Sequence, residues 1–130
     1  MSAKIAVYLP LKDLARSSCF FADLDFASNK QLGSENMESI VLSDVYVLLV
    51  PERQFRAITK KEIPDAETAS EAILQLQVDS RQRVDDLVDK AFAAGALPAN
   101  ETNDQGFLYG RSFRDPDGHH WDVFRIKPPA

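Results

Sequence analysis

The stretch FRDPDGHHWDVFRI, residues 113–126, decides how this chain folds. Asp115-Pro116-Asp117-Gly118 is a turn signal: proline presets φ, aspartate hydrogen-bonds the backbone ahead of it, and glycine accepts a positive φ. The flanking runs FLYGRSF (107–113) and HWDVFRI (120–126) are rich in aromatic and β-branched residues and read as the strands of a hairpin. Period-two alternation puts His120, Asp122 and Phe124 on one face of the second strand and Trp121 on the other. Two histidines, a tryptophan and a carboxylate just past a turn are either half of a metal site or a well-made hairpin.

Upstream, AILQLQVD (72–79) alternates, with Leu74, Leu76 and Val78 on one face and Ile73, Gln75 and Gln77 on the other. Ser80 then caps a helix over RQRVDDLVDKAFAAG. Val84, Leu87, Val88, Ala91 and Phe92 mark its apolar face, and Gly95 stops it. Residues 96–106 are polar and read as a loop with a short edge strand.

The first half has the same grammar. KIAVYLPL (4–11) alternates Ile5, Val7, Leu9 and Leu11 against Ala6, Tyr8 and Pro10. Asp13 caps a helix running to about Ala22 or Asp23, with Leu14, Phe20, Phe21 and Leu24 on its buried stripe. Residues 26–50 hold two or three strands, with a turn at Ser43-Asp44, and Pro51 closes the run. Residues 52–70 read as a short helix or irregular connector broken at Pro64. Two or three residues at each end are expected to fray. Strand, helix and about three strands thus occur twice, at an offset of 68 residues from Ile5 to Ile73, as a repeat of pattern rather than of letters.

Composition narrows the function classes. A chain of 130 residues with 45% apolar content is one ordinary domain with enough apolar surface for a core. The net charge of −5 argues against a nucleic-acid partner. No run approaches the ~18 apolar residues of a membrane span, and no secretory leader is read at the start. The single cysteine, Cys19, forms no internal disulfide; it fits a cytoplasmic location and reads as a small core or half-buried residue. No nucleophile elbow, phosphate-cradling glycine loop or cysteine cluster is present.

Taken together, LPLKDLARSSCFFADLDF near the start and GRSFRDPDGHHWDVF near the end resemble the vicinal oxygen chelate superfamily, the glyoxalase/bleomycin resistance/dioxygenase group. The first segment looks like the family's strand and aromatic helix end, the second like its DPDG hairpin, and the repeat extends the likeness over the whole chain. Asp25 departs from the pattern, standing where the family usually has glycine; aspartate tolerates the left-handed conformation better than most residues. The resemblance implies a single α+β domain, residues 1–130, of two βαβββ modules at about 1–62 and 71–130. These would form a curved mixed sheet around a cavity, with helices on the outer face, commonly in a homodimer.

The resemblance also implies four metal-ligand positions, the first and last strands of each module supplying two apiece. Counting from Asp13, Val78 and Gly118 places them at Ala6, Leu48, Ile73 and Asp122. Only Asp122 carries a donor, whereas a metal ion needs several converging oxygen or imidazole ligands. No cofactor is therefore expected, the alternative being a weak divalent-metal site from Asp122, His120 and Gln75.

Strand parity assigns the lining of the implied cavity: Ala6 and Tyr8; Leu48 and Tyr46; Ile73, Gln75 and Gln77; Tyr109, Arg111 and Phe113; His120, Asp122 and Phe124. Ligand-binding candidates are Tyr8, Gln75, Gln77, Tyr109, Arg111, His120, Asp122 and Phe124. Arg111 either forks onto an anionic ligand or pairs with an acid such as Asp122. Asp122, the candidate catalytic residue, is either a general base raised by burial or a partner in that ion pair. The tyrosines either contact a ligand or pack. Trp121 reads as core and His119 as a surface residue at the turn. The expectation is a cytoplasmic, homodimeric protein that binds a small molecule without metal; the alternative is a lyase, isomerase or dioxygenase-type enzyme with a remodelled site.

Overall fold

The computed structural model describes residues 3–29 and 37–128. The terminal residues expected to fray, and part of the region expected to hold strands after residue 26, lie outside the described residues. The chain divides into two compact units, Met1–Asp65 and Ala66–Ala130.

The first unit runs β1 (Ile5–Leu11), α1 (Leu14–Asp23), β2 (Ser28–Asn29), β3 (Glu38–Leu42), β4 (Val45–Pro51) and α2 (Glu52–Thr59). Its sheet has the order β1-β4-β3-β2, with β1 parallel to β4 and the other pairs antiparallel. Asp13 starts α1 as expected, its carboxylate accepting from the Arg16 amide at 3.2 Å. Ser17, Phe20, Phe21 and Leu24 form the buried stripe at helical spacing. Cys19 falls off that stripe, so it is exposed rather than core or half-buried. Asp25 takes the left-handed turn after α1 at φ 62°. Ser43 turns β3 into β4 with φ 53°.

The second unit repeats the plan: β5 (Ile73–Gln77), α3 (Arg81–Ala93), β6 (Leu97–Pro98), β7 (Asn103–Asp104), β8 (Leu108–Arg114) and β9 (His120–Ile126). The order is β5-β9-β8-β6, β7 pairs with β8 as well, and β5 lies parallel to β9. The second strand of the plan is split into β6 and β7, which keeps the βαβββ order, so the fold class is α+β with two sheets. Ser80 caps α3 by accepting from the Arg83 amide at 3.1 Å. Val84, Leu87, Val88 and Ala91 are buried, but Phe92, in the last turn at the margin of that stripe, is 36% exposed rather than core.

The DPDG turn is built around Asp115. Its carboxylate accepts from the amides of Asp117 and His119 and from the Trp121 indole, each at 3.0 Å. Burial pushes the Asp115 carboxyl up; His119 and these hydrogen bonds oppose the shift without cancelling it. Gly118 has φ 89°, and a Cβ there would meet backbone atoms of Ala66 and Glu67 at 3.1–3.2 Å. Trp121 stacks on Phe113 with ring centroids 6.3 Å apart, and both are fully buried. Each such side chain contributes about 1.5–3 kcal/mol by leaving water.

No helix among the described residues is long and apolar enough to cross a membrane.

Candidate functional site

The faces of the second sheet divide the candidate residues. In the β8–β9 hairpin Ser112 lies opposite Asp122, Arg114 opposite His120 and Gly110 opposite Phe124. On the other side of β9, Gln75 faces Asp122, Gln77 faces Phe124 and Ile73 faces His120. Directly paired residues project to the same side of a sheet. One face therefore gathers Gln75, Gln77, His120, Asp122 and Phe124, as the sequence predicts, together with Ser112 and Arg114, which sequence reasoning missed.

Tyr109, Arg111 and Phe113 belong to the opposite face, with Trp121 and Val123, and pack toward α3. Their assignment to the cavity lining is corrected. The Tyr109 hydroxyl donates to Asp85 of α3 at 2.6 Å. Arg111 pairs with Asp85 and Asp89, each at 2.9 Å, and not with Asp122. Arg81 lies over the Tyr109 ring at 4.0 Å and binds Asp104 at 2.9 Å. The Tyr109 hydroxyl, then Arg111, hold the Asp85 carboxyl below its usual range against the opposing effect of burial. Burial, then Asp85, push the Tyr109 hydroxyl up. This is a structural network tying helix to strand, with Phe113 in the core beneath it.

On the α3-free face, His120 Nε2 and Asp122 Oδ1 lie 2.6 Å apart, with side chains 15% and 27% exposed. A carboxylate on one ring nitrogen fixes the imidazole and leaves its second nitrogen to meet a ligand. Gln75 and Gln77 are exposed and Phe124 is half-buried. Ser112 is buried, its hydroxyl accepting from the Asn100 amide at 2.8 Å, so loop 99–102 folds over that end of the face. In the first unit Ala6 and Tyr8 are exposed and Leu48 is buried.

The donor set does not fit a family-type metal centre. Ala6, Leu48 and Ile73 offer hydrocarbon only, and Asp122 is engaged by His120. Among the described residues no three histidine, cysteine or acidic side chains come together.

A family model matches residues 5–123, that of the Glyoxalase/Bleomycin resistance protein/Dioxygenase superfamily. The chain belongs to this superfamily. Solved structures agree on the fold. A hypothetical protein from S. aureus superposes with a TM-score of 0.81 at 26% identity, over 96% of this chain and 93% of that one. A lactoylglutathione lyase from Agrobacterium tumefaciens gives 0.69 at 17%, over 96% and 94%. A fosfomycin resistance protein from Listeria monocytogenes gives 0.66 at 13%, over 100% and 94%. No match was found among curated proteins.

Proposed function

We propose that this superfamily member binds a small organic molecule on the α3-free face of its second sheet, without a metal ion at the family's ligand positions. The observation that carries the reading is the register block of Gln75, Gln77, His120, Asp122 and Phe124. These side chains present hydrogen-bonding groups and an aromatic surface outside the packed core. A few convergent polar groups beside apolar surface are the usual make-up of a small-molecule site. The fosfomycin resistance and lactoylglutathione lyase neighbours are named for action on small molecules, which supports the class and not the substrate. The proposal includes a homodimer in the cytoplasm, the former read by light scattering.

The test is elemental mass spectrometry of untagged protein before and after dialysis against Ni²⁺, Zn²⁺, Mn²⁺ and Fe²⁺, followed by a thermal-shift screen of small molecules with and without chelator. The expected result is protein without stoichiometric metal and hits indifferent to chelator. About one tightly held ion per chain would overturn it.

The 2.6 Å His120–Asp122 bond favours a second reading, an enzyme of lyase, isomerase or dioxygenase type with a remodelled site. A carboxylate-oriented imidazole is a competent general base. Asp122→Ala would then abolish turnover, with stoichiometric metal on Asp122, His120 and Gln75 as its companion observation. Two of those three side chains are spent on each other, which favours the metal-free reading.

A further inference from the structure

Arg114 closes a row across the α3-free face. It pairs with His120 on one side and with Leu97 of β6 on the other, and His120 in turn faces Ile73. The row reads Leu97, Arg114, His120, Ile73: a cation and an imidazole between two aliphatic side chains, each of these 59% exposed. The neighbouring row carries Ser112, Asp122 and Gln75. Asp122, diagonal to Arg114, is held by His120. The Arg114 guanidinium has no ion-pair partner among the described residues.

We propose that Arg114 is the anion anchor of this face. The molecule it holds is an organic monocarboxylate whose apolar body lies along His120 and Ile73. This rests on the reading of the α3-free face as the binding face. A guanidinium fork matches the two oxygens of a carboxylate. The Asp122 carboxylate lies on the same face, so a monoanion is accommodated more readily than a dianion. The net charge of −5 gives no long-range attraction for anions, which leaves discrimination to the local fork.

The test uses benzoate, its neutral isostere benzamide, and phenyl phosphate. The chain has two histidines, so imidazole NMR signals read the face directly, with His119 as internal control. Benzoate is expected to shift the His120 signals saturably and to bind about tenfold more tightly than benzamide. Arg114→Gln should lower benzoate affinity about tenfold and leave benzamide unchanged, and Arg114→Lys should recover part of the loss. Equal binding of benzoate and benzamide, or benzoate binding unaffected by Arg114→Gln, overturns the anion anchor while leaving the face as a binding site. Tighter binding of phenyl phosphate overturns the monocarboxylate assignment. No shift of His120 with any probe removes the face and the anchor together. Arg114 is exposed at the end of β8, and the melting temperature of each variant checks that the fold is kept.

Discussion

Gly118 and Gly95 both sit at positive φ, 89° and 105°, yet the fold asks different things of them. At Gly95 an added Cβ meets nothing within 4 Å, so Gly95→Ala carries only the backbone strain, about 1 kcal/mol. At Gly118 the same methyl runs into the Ala66–Glu67 backbone, and Gly118→Ala should cost ~3 kcal/mol. Urea denaturation of the two variants checks the contrast, and equal losses would contradict the close approach. The same turn makes Trp121 more than an apolar filler. Trp121→Phe removes one donor from the buried Asp115 carboxylate and should cost about 2 kcal/mol. The tryptophan was legible as core because its strand position opposes His120 and Asp122. Its bond to the DPDG aspartate was not, because hydrogen bonds of an indole depend on rotamers rather than on spacing.

At the scale of the element, α3 is fastened to β8 by Tyr109 and Arg111 through Asp85. Tyr109→Phe deletes a hydrogen bond to a carboxylate that is one-third exposed, so about 1 kcal/mol is expected rather than the larger value of a buried charge. Its pH dependence follows from the depressed Asp85 carboxyl. The stability it contributes is complete above its unfolded value, near 3.8, and is lost as pH falls through the lower folded value. Thermal melts of wild type and Tyr109→Phe should therefore differ at neutral pH and converge below that range. A constant difference down to the lowest pH would remove Asp85 from the network. In this unit β5, α3 and the hairpin were readable from alternation, the Ser80 cap and Gly95, although the sequence reading ended the first hairpin strand at Phe113, one residue before Arg114. The choice of face for β8 was not read correctly, although the hairpin held the signal. With strands ending at Arg114 and His120, even-numbered residues face even-numbered ones, so Arg111 must share the side of Trp121. Aromatic and charged residues on both faces of β8 masked that parity, since neither face is plainly apolar.

Across the whole chain, the repeat predicts two similar units and the structure gives them, but the second sheet separates stability from recognition. Its α3 side holds Phe113, Trp121 and Val123, all fully buried, while the other side keeps Gln75, His120 and Asp122 in partial or full contact with solvent. Side chains that fill the core are expensive to remove, and Phe113→Ala should cost about 3–5 kcal/mol. On the opposite face His120→Ala and Asp122→Asn lose one partly exposed hydrogen bond, and each should cost no more than about 1 kcal/mol. Gln75→Leu should be neutral, because an exposed amide gives up no buried hydrogen bond there. Polar groups held on a rigid sheet without contributing to its stability are what a binding face requires, and selection for stability alone would not retain them. Measured together, denaturation and ligand titration should place the variants in two groups: Phe113→Ala losing stability, and His120→Ala and Asp122→Asn losing binding with near-native melting temperatures. If His120→Ala and Asp122→Asn instead unfold the protein by several kcal/mol, the pair is a structural bond and the binding face must be sought elsewhere.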